Sequence, residues 1–135
     1  MTRIWERLFV GDLTDAEELA HDNPRGITTV ISLSEIAVQT SREDVKYVHL
    51  PIVDDRPMPI RQFYGVTDAI RKNIRWGCVL LHCGQGVSRA PSMAAAYMDA
   101  VGFKNIDSAL DEIRQARPFI HPSTELLESL RRHLQ

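Results

Sequence analysis

The chain has 135 residues, 44% of them hydrophobic and 25% charged, with a formal net charge of −2. That length suits one domain, residues 1–135, with a sizeable core, and the balance is that of an ordinary globular protein. The charge gives no electrostatic reason to expect nucleic acid or an anionic membrane as partner, and no apolar run approaches the length of a membrane span.

"MTRIWERLFVG" lacks a signal-peptide pattern, and "IWERLFVGD" reads as a short strand or hairpin at a sheet edge. "LTDAEELA" predicts a helix with Thr14 as N-cap and Glu17 closing a capping box, and "NPRG" breaks it. "ITTVISL", from Ile27 to Leu33, is β-branched and nearly all apolar, as a strand covered on both faces requires. The polar stretch from Ser34 to Asp44 predicts a loop or a weak helix, and "VKYVHLPIV" predicts a further strand.

In the second half, Ile60, Phe63, Tyr64, Ile70 and Ile74 mark a helical stripe, with Gly77 stopping the helix ahead of the strand "CVLLH". "PSMAAAYMDAVG" predicts an alanine-rich helix with Pro91 in its first turn. Ile106, Ala109, Leu110 and Ile113 outline the next helix, which ends by Pro118. Pro122 opens a last one with Leu126, Leu127, Leu130 and Leu134 inward. Strands alternating with helices predict an α/β fold, a mainly parallel sheet with helices on both faces. Ligands of such sheets bind beyond the carboxyl ends of the strands.

Cys83 stands at such an end. Five extended steps would hold Cys78 and Cys83 about 16 Å apart, too far for a disulfide. Cys78 therefore reads as a small core residue, and the expected setting is reduced and cytoplasmic.

The stretch "VLLHCGQGVSRAPS" joins a strand to a helix start. Unpaired N–H groups and the helix dipole favour an anion there. Gly84 and Gly86 let the backbone curl into an anion nest, and Arg89 offers a planar fork for two phosphate oxygens. The same positive field favours a Cys83 thiolate, a nucleophile placed under bound phosphate. The competing reading is a buried structural cysteine with a flexible loop after it. Dinucleotide and nucleotide-loop fingerprints fail, since Arg89 takes the place of the last glycine and the required lysine is missing. Zinc would need more ligands than Cys78 and Cys83 provide.

"HCGQGVSR" matches the H-C-x-x-G-x-x-R signature of the cysteine-based protein tyrosine phosphatase superfamily. With "RLFVGDLTDAEEL" near the start, the chain resembles its small dual-specificity branch from about Arg7 to the final helix. The resemblance implies a mixed sheet of four or five strands with helices on both faces. It also implies metal-independent, cofactor-free hydrolysis of phosphate monoesters on proteins through a phosphocysteine.

Carried over residue by residue, the resemblance makes Cys83 the nucleophile and Arg89 the phosphate-binding cation. Amides of Gly84, Gln85, Gly86, Val87, Ser88 and Arg89 form the cradle, and His82 supports the cysteine. "LPIVDDRPMP" occupies the place of the loop carrying the general acid, and a proline followed two residues later by the acid selects Asp54 over Asp55. The competing reading of Asp54 and Asp55 is a solvated turn.

Two positions depart from the pattern. Ala90 replaces the Ser or Thr whose hydroxyl helps the thiolate leave phosphocysteine, and Ser123 replaces an Asn that braces the phosphate loop. The expected function is a monomeric protein phosphatase acting on phosphotyrosine, with phosphoserine and phosphothreonine as further candidates. Gln85 and Val87 lack the positive charge that suits inositol lipids. The alternative is a catalytically weak phosphate-recognition module.

Overall fold

The computed structural model describes residues 1–135. β1 (Thr2–Trp5) and β2 (Leu8–Gly11) form an antiparallel hairpin, joined by a tight turn in which Glu6 takes a left-handed φ of 53°. β2 then pairs in parallel with β5 (Cys78–His82), β5 with β3 (Ile27–Ser32), and β3 with β4 (Lys46–His49). The order is β1-β2-β5-β3-β4, a mixed five-stranded sheet with β5 at its centre. Only β1 of the N-terminal hairpin lies at an edge; β2 is interior.

Side chains alternate across the sheet, so each apolar strand feeds two cores. Leu8, Val10, Ile31, Val79 and Leu81 face the larger core. Phe9, Val30 and Leu80 face a smaller one, closed by Ala16 and Leu19 at α1 (Leu13–Glu18). The larger core is covered by α2 (Ile60–Ile74), α3 (Arg89–Ala100), α4 (Ile106–Ala116) and α5 (Thr124–His133). α3 is buried continuously from Ala90 to Met98 and packs against the other three, which its small alanines permit.

Several local expectations change. The N-cap of α1 is Asp12, not Thr14: the Asp12 carboxylate accepts from Asp15 N at 2.8 Å and the Asp15 carboxylate from Asp12 N at 3.0 Å. An aspartate in extended backbone already supplies the reciprocal cap, so the helix starts sooner. On α2 the inward face is Phe63, Val66, Thr67, Ile70 and Asn73, while Ile60 and Tyr64 are 45% and 53% exposed.

Gly77 is no left-handed cap either. α2 ends at Ile74, and a Cβ on Gly77 would lie 2.2 Å from Thr28 Oγ1, so this glycine serves close approach of β5 to β3. The Ser34–Asp44 stretch contains no helix. On α5, Leu126 and Leu130 are fully buried, whereas Leu127 and Leu134 pack at the margin. Beyond β4 the chain stays tied to β3 through Leu50 N to Ser32 O (2.9 Å) and Ile52 N to Leu33 O (3.0 Å). No helix is long and apolar enough to cross a membrane.

Candidate active site

β5 delivers His82 and Cys83 to the carboxyl edge of the sheet, between the ends of β2 and β3. The chain must then turn at once into α3. Gly86 makes the turn with φ +69°, and a Cβ there would stand 2.7 Å from Gly11 O and 2.5 Å from Arg117 Nη2. Glycine is required by both backbone and space.

The loop is held from outside by its carbonyls. Gly84 O accepts from Leu13 N (3.1 Å), Val87 O from His121 N (2.6 Å) and Gly86 O from Arg117 Nε (2.9 Å). With the carbonyls turned outward, the N–H groups of residues 84–88 find no acceptor within the chain. These amides and the N-terminus of α3 make a concentrated site for an anion. Cys83 is 2% exposed at its base, and its Sγ accepts the Ala90 N–H at 3.4 Å.

Arg89 is fixed through one nitrogen. Its Nη1 donates to Glu35 Oε1 (3.0 Å), Ile52 O (3.2 Å) and, most weakly, Leu33 O (3.5 Å). Nε and Nη2 donate to no group of the chain, and Nη2 lies over Gly84. The guanidinium is thus aimed with donors to spare. The Glu35 carboxyl is held below its ordinary range, first by its own backbone N–H and then by the Arg89 charge.

Asp54 reaches the same loop: its Oδ1 accepts from Ser88 Oγ at 2.8 Å, and Ser88 Oγ in turn accepts the Ser123 N–H at 3.0 Å. Asp55 takes a left-handed φ of 58° and is exposed. The segment carrying both is tied down by Met58, whose N donates to Ser129 Oγ (2.8 Å) and whose carbonyl accepts from His133 Nε2 (2.5 Å). Asp54 therefore meets the cysteine loop and Asp55 faces away.

His82 is fully buried and does not touch the thiol. Its Nδ1 donates to Cys83 O at 3.2 Å, which leaves Nε2 to accept the Ser32 hydroxyl at 2.6 Å. Burial, the largest influence, pushes its pKa below the ordinary value and favours this neutral ring. Its hold is on the cysteine backbone. Cys78 is half-buried, and both cysteines are free.

Glu35, Ser32 and Arg117 were not singled out by the sequence. Glu35 lies three residues beyond the end of β3, so the rule on carboxyl ends of strands could have found it. Arg117 gives no such signal: it is 5% exposed and ties Gly86 to Thr2 at the far end of the chain. The two departures also acquire detail. Ala90 bonds the sulfur through its backbone, and Ser123 braces Ser88 through its own N–H while its hydroxyl caps α5 by accepting from Leu126 N.

Residues 8–135 match the model described as "Dual specificity phosphatase, catalytic domain". The chain belongs to the dual-specificity phosphatase family. Mouse dual specificity protein phosphatase 18 is 30% identical over 132 residues, spanning 96% of this chain and 70% of that protein. Fission yeast tyrosine-protein phosphatase yvh1 is 28% identical over 97% of this chain and 40% of its own length. The crystal structure of DUSP15 superposes with a TM-score of 0.82 at 27% identity, covering 99% of this chain and 84% of that one. The sheet and helices are those of a dual-specificity phosphatase, and the chain is a cysteine-dependent protein phosphatase. Its catalytic cysteine is present, and nothing favours a non-catalytic phosphate-recognition module.

Proposed function

We propose that this phosphatase hydrolyses phosphotyrosine, and also phosphoserine and phosphothreonine, in phosphorylated proteins. Cys83 Sγ attacks phosphorus and the ester oxygen departs, leaving phosphocysteine. Asp54 gives its proton to that oxygen, then takes one from the water that attacks phosphocysteine, and the thiolate returns. The amides of residues 84–89 and the free edge of the Arg89 guanidinium bind the equatorial oxygens, where charge gathers in the transition state. His82 and Ser32 position the cysteine backbone, and Glu35 positions Arg89.

One observation carries this reading. The loop that follows Cys83 leaves the N–H groups of residues 84–88 without an acceptor in the chain, while Ser88, on that same loop, holds Asp54. Nucleophile, anion cradle and acid share one scaffold. Every role is filled by a side chain or amide of the chain, so the reading requires no metal or cofactor. Two free cysteines suit a reducing compartment such as the cytoplasm, and we take the working unit to be a monomer that uses neither membrane nor nucleic acid.

Phosphate release from matched phosphotyrosine, phosphoserine and phosphothreonine peptides tests this. Release from phosphotyrosine that disappears in Cys83→Ser is expected. Release that survives the substitution contradicts the reading.

A further inference from the structure

A cavity of about 390 Å³ lies between the segment after β4 and helix α2, and of its lining only Ile52 touches the machinery above. Residues 49–52 line one wall, and Arg61, Gln62, Gly65 and Val66 the other. Three features of this groove serve no need of the fold.

Gly65 sits inside a 15-residue helix, where glycine is less favourable than alanine. Its φ is not left-handed, and a Cβ built on it meets nothing within 4 Å. Neither backbone nor packing calls for glycine; its effect is to leave that wall bare. Arg61 is exposed and pairs with no carboxylate, and no carboxylate lines the cavity. Asp68, further along α2, is already paired with Arg71 at 2.8 Å. Next in the chain to lining residues Arg61, Gly65 and Ile52, the residues Ile60, Tyr64 and Val53 expose apolar surface.

One residue, Ile52, links the groove to the catalytic centre. Ile52 lines the groove, and the Ile52 carbonyl accepts from Arg89 Nη1 at 3.2 Å. Asp54 follows two residues later. The segment that lines the groove is thus the one that runs on to Asp54, which places the groove on the side of the site where a bound peptide would continue.

We propose that this groove is a recognition subsite for the polypeptide flanking the phosphorylated residue. It takes an acidic side chain against Arg61 and an apolar neighbour against Leu50, Val66 and the bare face at Gly65. The proposal deepens the phosphatase reading by naming which phosphoproteins suit the site, and it rests on that reading for the phosphorylated residue alone.

Binding rather than turnover provides the test. Cys83→Ser protein is titrated into two fluorescent phosphotyrosine peptides, one flanked on both sides by Glu and Leu, the other by Lys and Ser. The acidic peptide should bind more tightly, by about three- to tenfold. Arg61→Glu on that background should abolish the preference, and Gly65→Leu should weaken the acidic peptide by filling the groove. Arg61→Lys should keep most of the preference. Arg114→Glu, on α4 against β1 and α3, should keep all of it and so exclude a mere change in net charge.

Thermal melts confirm that each variant is folded. No preference in the parent background, or a preference that survives both Arg61→Glu and Gly65→Leu, overturns the proposal. Turnover of a small aryl phosphate by the unsubstituted chain reports separately on the catalytic reading. Its loss would end that reading while leaving the binding result to stand.

Discussion

Ser88 Oγ donates to Asp54 Oδ1 at 2.8 Å while accepting the Ser123 N–H at 3.0 Å. A hydroxyl has one proton, and the Ser123 amide occupies a lone pair, so that proton is committed to Asp54. In the proposed mechanism, the proton that Asp54 gives away must then sit on its other oxygen. Ser88→Ala should release the acid and leave the Ser123 N–H unpaired. A hydrogen bond to a neutral group contributes about 0.5–1.5 kcal/mol, or about two- to tenfold in rate. The loss in kcat should be greater for phosphotyrosine than for an aryl phosphate whose leaving group needs no proton. Equal losses on both substrates would mean that Ser88 supports only the loop.

Asp54 and Asp55 separate by the same logic. Removing a general acid lowers rate by about 10²–10⁴. Asp54→Asn should show that loss with a strong dependence on leaving group. Asp55→Asn should turn over normally, because Asp55 is turned outward in a left-handed conformation that asparagine also tolerates. Steady-state kinetics on a series of aryl phosphates decides it.

Gly86 and Arg117 form a brace whose failure should be general. Gly86→Ala forces a Cβ onto Gly11 O at 2.7 Å with φ at +69°, so it should collapse the phosphate loop and reduce kcat/KM for every substrate. Arg117→Met removes the donor to Gly86 O while keeping much of the buried bulk. It should weaken competitive inhibition by inorganic phosphate, again without regard to leaving group.

Burial of His82 predicts a pH dependence of stability. Its folded pKa lies below the ordinary value, so the unfolded chain binds more protons as pH falls through the unfolded value. Stability should be greatest above about pH 6.5 and decline below it until the folded pKa is reached. Urea midpoints at pH 7.5 and 5.5 should show the decline, above the main carboxylate range, and His82→Gln should flatten it. A midpoint that rises towards pH 5.5 would contradict a neutral buried ring.

Ala90 bears on the second half of the reaction. The Ala90 N–H already reaches Cys83 Sγ at 3.4 Å, but no hydroxyl follows Arg89 to stabilise the departing thiolate. Phosphocysteine breakdown should therefore be slower than its formation. Rapid mixing with an aryl phosphate should show a burst of phenol, and Ala90→Ser should raise steady turnover by about tenfold while shrinking the burst. Unchanged turnover with no burst in the parent would place thiolate expulsion elsewhere.

The catalytic loop was legible because its chemistry is local. Cys83, two glycines and Arg89 lie within one strand-to-helix turn, and the alternation of strands and helices sets that turn at the carboxyl edge of a parallel sheet. That Asp54 lies against the loop was legible only through resemblance; spacing alone would have left it a turn residue. What the sequence hid is what distant segments supply. Glu35, Ser32 and Arg117 act through contacts across 54, 50 and 31 positions, and nothing in their neighbours announces those contacts. The α2 stripe misled for a related reason: Ile60 and Tyr64 fit the helical period but are exposed, and the face that packs is Phe63, Val66, Thr67, Ile70 and Asn73.

The central claim is covalent catalysis at Cys83. Acid quenching during turnover of an aryl phosphate, followed by proteolysis and mass spectrometry, reads it directly. The peptide containing Cys83 should gain the mass of one phosphoryl group, the label should grow within the burst and vanish as substrate runs out, and Cys83→Ser should carry none. Turnover with no phosphoryl group on Cys83, at quench times spanning the burst, or turnover by Cys83→Ser, would contradict the account.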